Sequence, residues 1–151
     1  MVDKGSEYFE RASNVVFGLR HDIISSSSSD EMIAYLWTAI PGFSHFGGYE
    51  GTGTADGPFM YTGFKPKWLL LKCADGHNWV LKDTARNLYN PSNGSLLADG
   101  NQAETDWNIH VDILSNGFKL KGASESNSNK SGENHIYSAF AELPFKLSRA
   151  R

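Results

Sequence analysis

From Trp107 to Leu114 the chain alternates: Ile109, Val111 and Ile113 fall on one side, His110 and Asp112 on the other. A period of two marks a half-buried antiparallel strand. Met32 to Trp37 is apolar at every position. That is the pattern of a strand covered on both faces, expected centrally in a sandwich or in a subunit interface. Phe59–Phe64 reads as a strand, and Lys65-Pro66 turns it into the strongly apolar Trp68–Cys73. Asp75-Gly76 is a hairpin signal leading into Trp79–Asp83, and Asp83 with Arg86 forms a tight polar pair at that strand's end. Gly47-Gly48 suggests a bulge. Leu88–Gly100 carries Asn90-Pro91 and Asn93-Gly94, so it is expected as a long loop. Glu7–Ser13 admits a short helix, while the β-branched Val15–Ile24 reads as a strand. The five serines Ser25–Ser29 read as a solvated loop. Leu114–Lys121 and Ile136–Phe145 read as two antiparallel strands around a Ser/Asn/Gly-rich loop. About nine short strands and no helical period predict an all-β fold, an antiparallel sandwich of jelly-roll type.

The chain repeats part of itself. Ser13-Asn14, Phe17, Leu19 and Arg20 recur as Ser115-Asn116, Phe118, Leu120 and Lys121. Downstream, Ile33, Trp37 and Pro41 match Ile136, Phe140 and Pro144, each shifted by 103 residues. Such a period is long for a solenoid unit. It predicts that residues 1–42 are a partial repeat, a hairpin packing on the main domain or on a neighbouring copy. Residues 43–151 are then one complete β-sandwich unit, and the whole is effectively one domain.

Composition narrows the class. A chain of 151 residues with 40% hydrophobic and 21% charged positions is globular. A net charge of −3 lacks the basic excess of a nucleic-acid binder. The single cysteine, Cys73, excludes an intrachain disulfide and reads as a small core residue. Met1–Gly5 has no apolar signal region, and no run approaches the length of a membrane span.

Candidate chemistry is sparse. His21, His45, His77, His110 and His135 show none of the close spacings that bring two metal ligands together, so no metal and no cofactor is expected. Asp99, Glu104, Asp106 and Asp112 could supply a glycosidase pair only at a separation that sequence does not fix. Gly51-Thr52-Gly53-Thr54 lacks the Gly-Lys-Ser/Thr of a phosphate loop and reads as a turn. No catalytic residue is assigned, and the chain is not predicted to be an enzyme. Aromatic rings near loops stack on sugars, which makes Tyr89 and Trp107 candidate glycan contacts. Tyr35, Trp37 and Phe140 are candidate core or oligomer-interface residues.

Several segments resemble bacteriophage tail-fibre and related virion proteins. They are Tyr35-Leu36-Trp37, Gly42 through Tyr49, Gly53 through Phe59, Tyr61 through Pro66, Ser115 through Leu120 and Ala139 through Phe145. They fall in the family's order over about residues 33–151. The resemblance implies a structural or adhesive role at a tail fibre or on a capsid surface, possession of no catalytic residues, and residence in the virion after synthesis in the host cytoplasm. The expected partners are further copies of the chain, as a homotrimer, other virion proteins, and a host surface glycan. A recognition module that binds glycan is the competing reading, and a polysaccharide depolymerase a third.

Overall fold

The computed structural model describes residues 9–12, 17–19, 35–123 and 127–143. The chain divides into two compact units, Met1–Trp37 and Thr38–Arg151. In the first, β1 (Phe9–Ala12) pairs antiparallel with β2 (Phe17–Leu19). A strand thus covers part of the span where a short helix was admitted. Residues 20–34, with the serine run and the first half of the apolar 32–37 segment, lie outside the described residues. Tyr35 to Trp37 carries no strand, and its three side chains are exposed, Tyr35 at 72% and Trp37 at 66%.

The second unit holds β3 (Ser44–Glu50), β4 (Phe59–Tyr61), β5 (Pro66–Cys73), β6 (Trp79–Asp83), β7 (Ser92–Leu97), β8 (Thr105–Leu114), β9 (Gly117–Leu120) and β10 (Asn134–Ala141). They form one sheet in the order β3-β10-β5-β6-β7-β8-β9-β4, antiparallel at every junction. The sheet curls on itself: Phe118 of β9 meets Tyr137 of β10 edge-on at 5.1 Å. The expected all-β antiparallel fold is therefore what the chain adopts.

Registers show how alternation builds the core. Tyr137, Leu71, Val80 and Leu97 form one inward row across four strands, and Ala139, Leu69 and Lys82 the next. Ile109, Val111, Ile113, Phe118, Leu120 and Met60 face them from the other half, all buried. Each such apolar side chain contributes about 1.5–3 kcal/mol on burial. Cys73 lies in this interior as a free thiol.

Four expectations change. The strands at 117–120 and 134–141 do not pair: β9 joins β8 and β4, while β10 lies between β3 and β5. The Ser-Asn half of the repeat keeps its pairing. Ser115-Asn116 links β8 to β9, and Ser13-Asn14 stands between β1 and β2 in sequence. The pair Phe9↔Leu19 then matches Val111↔Leu120 under the repeat's shift. Second, the expected loop 88–100 contains β7. Its inward Ser92 and Ser95 are buried yet polar, so no apolar alternation announces it. Third, Gly47-Gly48 is no bulge, since β3 runs in unbroken register with β10. Glycine is needed there because a Cβ on Gly47 would lie 2.8 Å from the Tyr137 hydroxyl. Fourth, the alternation of β8 holds only from Ile109 onward. Ser92 pairs with Val111 and Gly94 with Asp106, so β7 advances two residues while β8 covers five. Three extra residues therefore bulge from β8, and Asn108 there takes φ 59°, a left-handed conformation that asparagine tolerates.

Candidate functional site

The antiparallel order puts the turns at residues 62–65, 84–91 and 115–116, and the end of β10, at one end of the sheet, called here the lower end. The 84–91 loop is pinned there. Asp83 accepts from the backbone N–H groups of Ala85 and Arg86, both at 2.9 Å, and from the Arg86 guanidinium, which also reaches Glu104. The tight Asp83–Arg86 pair read from sequence is thus present. Burial pushes the Asp83 carboxyl up, and the Arg86 hydrogen bonds and charge outweigh it, holding the pKa below the usual value. Asn90 precedes a cis bond to Pro91. Its side chain pairs with Ile113 as a strand residue would, Nδ2 donating to the carbonyl and Oδ1 accepting the N–H, each at 2.9 Å. Between these anchors Leu88 and Tyr89 project into solvent, 74% and 84% exposed.

Beside that loop is a cleft of about 210 Å³, lined by Lys65, Thr84, Asn87, Leu88, Asn90, Ile113 and Glu142. Lys65 Nζ and Glu142 Oε2 pair across 2.8 Å. The Asn87 side-chain amide oxygen, Oδ1, accepts the Gly94 N–H. Thr84 is 9% exposed, and its hydroxyl has no hydrogen-bond partner among the described residues.

Trp107, 37% exposed, sits on the β8 bulge. Asp106 orders that bulge: it accepts the Asn108 N–H at 2.8 Å and holds His110 Nε2 at 3.0 Å. The Asn108 bond, more than the His110 contact, keeps the Asp106 pKa low. His110 thus takes Asp106 as its partner, while Asp112 lies opposite Lys119. Tyr89 and Trp107 belong to different elements, and neither ring stacks on another among the described residues. The other sequence-selected carboxylates are engaged as well. Glu104 pairs with Arg86, and Asp99 accepts the Trp79 N–H. Among the described residues no three His, Cys, Asp or Glu side chains gather as a metal site, and no helix is long and apolar enough to cross a membrane.

Phe140 is half-buried, packed edge-on against Phe43, Phe46 and Trp68 at 5.5–5.9 Å. These rings belong to the outer face of the sheet. One outward row reads Phe46, Ser138, Leu70, Leu81, Leu96 across β3, β10, β5, β6 and β7. The row beside it holds Ile136, Lys72 and Trp79, with Ile136 52% exposed. The sheet is thus apolar on both faces.

The fold defines an antiparallel β-domain with a doubly apolar sheet and a polar cleft at one end. The chain belongs to the family described as a domain of unknown function, DUF7483, whose model matches residues 3–144. No curated protein and no solved structure matches it. Sequence reasoning picked out Tyr89 on the cleft's loop and passed over Lys65, Thr84, Asn87 and Glu142. These four come from three separate stretches, and no spacing rule links them.

Proposed function

We propose that this chain is a structural component of a bacteriophage virion surface, at a tail fibre or as a decoration on the capsid, and that it works as a homotrimer. The resemblance of its motifs to virion proteins supplies the class. The observation that carries self-association is the outer face of β10, β5 and β6. Leu70, Leu81, Trp68 and Phe140 are half-buried on it and Ile136 is exposed. An apolar face of this kind marks an interaction surface, and a copy of the same chain can cover it under closed symmetry. Tyr35 and Trp37, exposed and stacked at 6.1 Å, add a second apolar element.

Light scattering on the purified chain tests the proposal. A trimer mass at micromolar concentration is expected, falling to monomer mass in Leu70→Lys/Leu81→Lys. A stable wild-type monomer would count decisively against it. The position of the chain's density in an intact particle distinguishes fibre from capsid.

A further inference from the structure

We infer that the lower-end cleft is a binding site for a neutral saccharide unit. Barrel and sandwich mouths, where loops converge over the end of a sheet, are preferred ligand positions. This cleft is built rather than incidental. Asn90 and Asp83 fix both ends of its loop through backbone hydrogen bonds. At about 210 Å³ it falls below the roughly 300–1,000 Å³ of pockets for drug-sized ligands, a size suited to one sugar ring.

The lining selects the chemistry. Its one cation and one carboxylate already neutralise each other, with Lys65 and Glu142 2.8 Å apart. An anion would have to take Lys65 from Glu142, and a cation would have to take Glu142 from Lys65. A neutral ligand rich in hydroxyls disturbs neither, because each hydroxyl both donates and accepts. Glu142 accepts from one hydroxyl, and the Lys65 ammonium and the Asn87 amide donate to others. Thr84 lines the cleft and is nine-tenths buried, and its hydroxyl has no hydrogen-bond partner among the described residues. Leu88, part of the lining, keeps most of its surface in solvent. It supplies the apolar wall against which the C–H face of a sugar packs. Trp107, on the β8 bulge, takes no part.

The inference is independent of self-association: a monomer that binds sugar would overturn the trimer and leave the cleft's role standing. The test is amide chemical-shift mapping on the full chain. Glucose, galactose, mannose and N-acetylglucosamine are titrated at millimolar concentration, with inorganic phosphate and tetramethylammonium as charged probes. An array of immobilised glycans run in parallel separates a terminal sugar of a polymer from a free one. Saturable shifts at Thr84, Asn87 and Leu88 are expected with at least one neutral sugar and with neither charged probe. Glu142→Gln and Leu88→Ala should each weaken binding about tenfold, the effect of one hydrogen bond to a charged group or one apolar wall. Trp107→Ala should leave binding unchanged. The amide spectrum itself reports whether each variant is folded. The inference is overturned if no sugar moves these amides and the array is blank, if phosphate moves them instead, or if Glu142→Gln binds as wild type does.

Discussion

Lys82 offers the sharpest test of how this sheet is held together. It stands on the inward row with Leu69 and Ala139 and is fully buried. The β6–β7 ladder consists only of Val80↔Leu97 and Leu81↔Leu96. Past Leu81 the two strands part, and the Lys82 ammonium spans the gap. It donates to the carbonyls of Ser92, Asn93 and Gly94 at 3.0, 3.2 and 3.1 Å. Lys82→Met keeps the apolar stem and removes the three donors. Hydrogen bonds from a charged donor contribute about 1.5–3 kcal/mol each, so the gross loss is roughly 4.5–9 kcal/mol. The variant no longer buries a charge, which returns several kcal/mol. The net loss should be about 2–4 kcal/mol, because three carbonyls lose their donor while the cost of burying the ammonium is recovered, still a large share of the 5–15 kcal/mol typical of a domain. Lys82→Arg should be destabilised too, because a planar fork replaces a compact ammonium aimed at three converging carbonyls. Urea unfolding followed by tryptophan fluorescence measures this, with an unchanged slope confirming that the effect is on stability. A loss below about 1 kcal/mol in Lys82→Met would refute the argument that the ammonium replaces the missing ladder.

Three further outcomes follow from other contacts. Gly47→Ala should cost about 1–3 kcal/mol in thermal or urea unfolding, since its Cβ would press on the buried, His45-bonded Tyr137 ring. Asn129 is fully buried, accepts the Thr52 N–H and donates to the carbonyls of Thr54 and Gly122. Asn129→Ala should therefore lose about 2–4 kcal/mol and speed hydrogen exchange across residues 52–57. The depressed pKa of Asp83 means that its carboxylate stabilises the folded chain above the unfolded value near pH 4. That contribution should fade as pH drops through the lower folded value, and in Asp83→Asn stability should depend less steeply on pH below 4.

The strands that sequence revealed are those with an apolar run or a clean alternation bounded by a turn signal. Asp75-Gly76 turns β5 into β6, with Gly76 at φ 80°, and Ile109, Val111 and Ile113 face the core as their alternation requires. The apolar run Trp68–Cys73 signals the strand that β5 forms. Alternation failed at β7, where small buried serines and a lysine's ammonium replace apolar packing. It also failed to pair strands distant in sequence. The amino acids of β9 and β10 specify two good strands, but each strand's edge is equally able to hydrogen-bond many others.

By itself the sequence determined an antiparallel all-β domain, the Asp75-Gly76 turn, the inward Ile109, Val111 and Ile113, the buried Cys73 and the Asp83–Arg86 lock, because these depend on local geometry and a period of two. The tertiary structure alone decided that β10 lies between β3 and β5 while β9 joins β8 and β4, that β8 bulges at Trp107, and that Lys65, Thr84, Asn87 and Glu142 meet at one end. Those outcomes depend on which faces and edges bury most surface and satisfy most hydrogen bonds together, a competition settled only when the whole sheet has closed around its core.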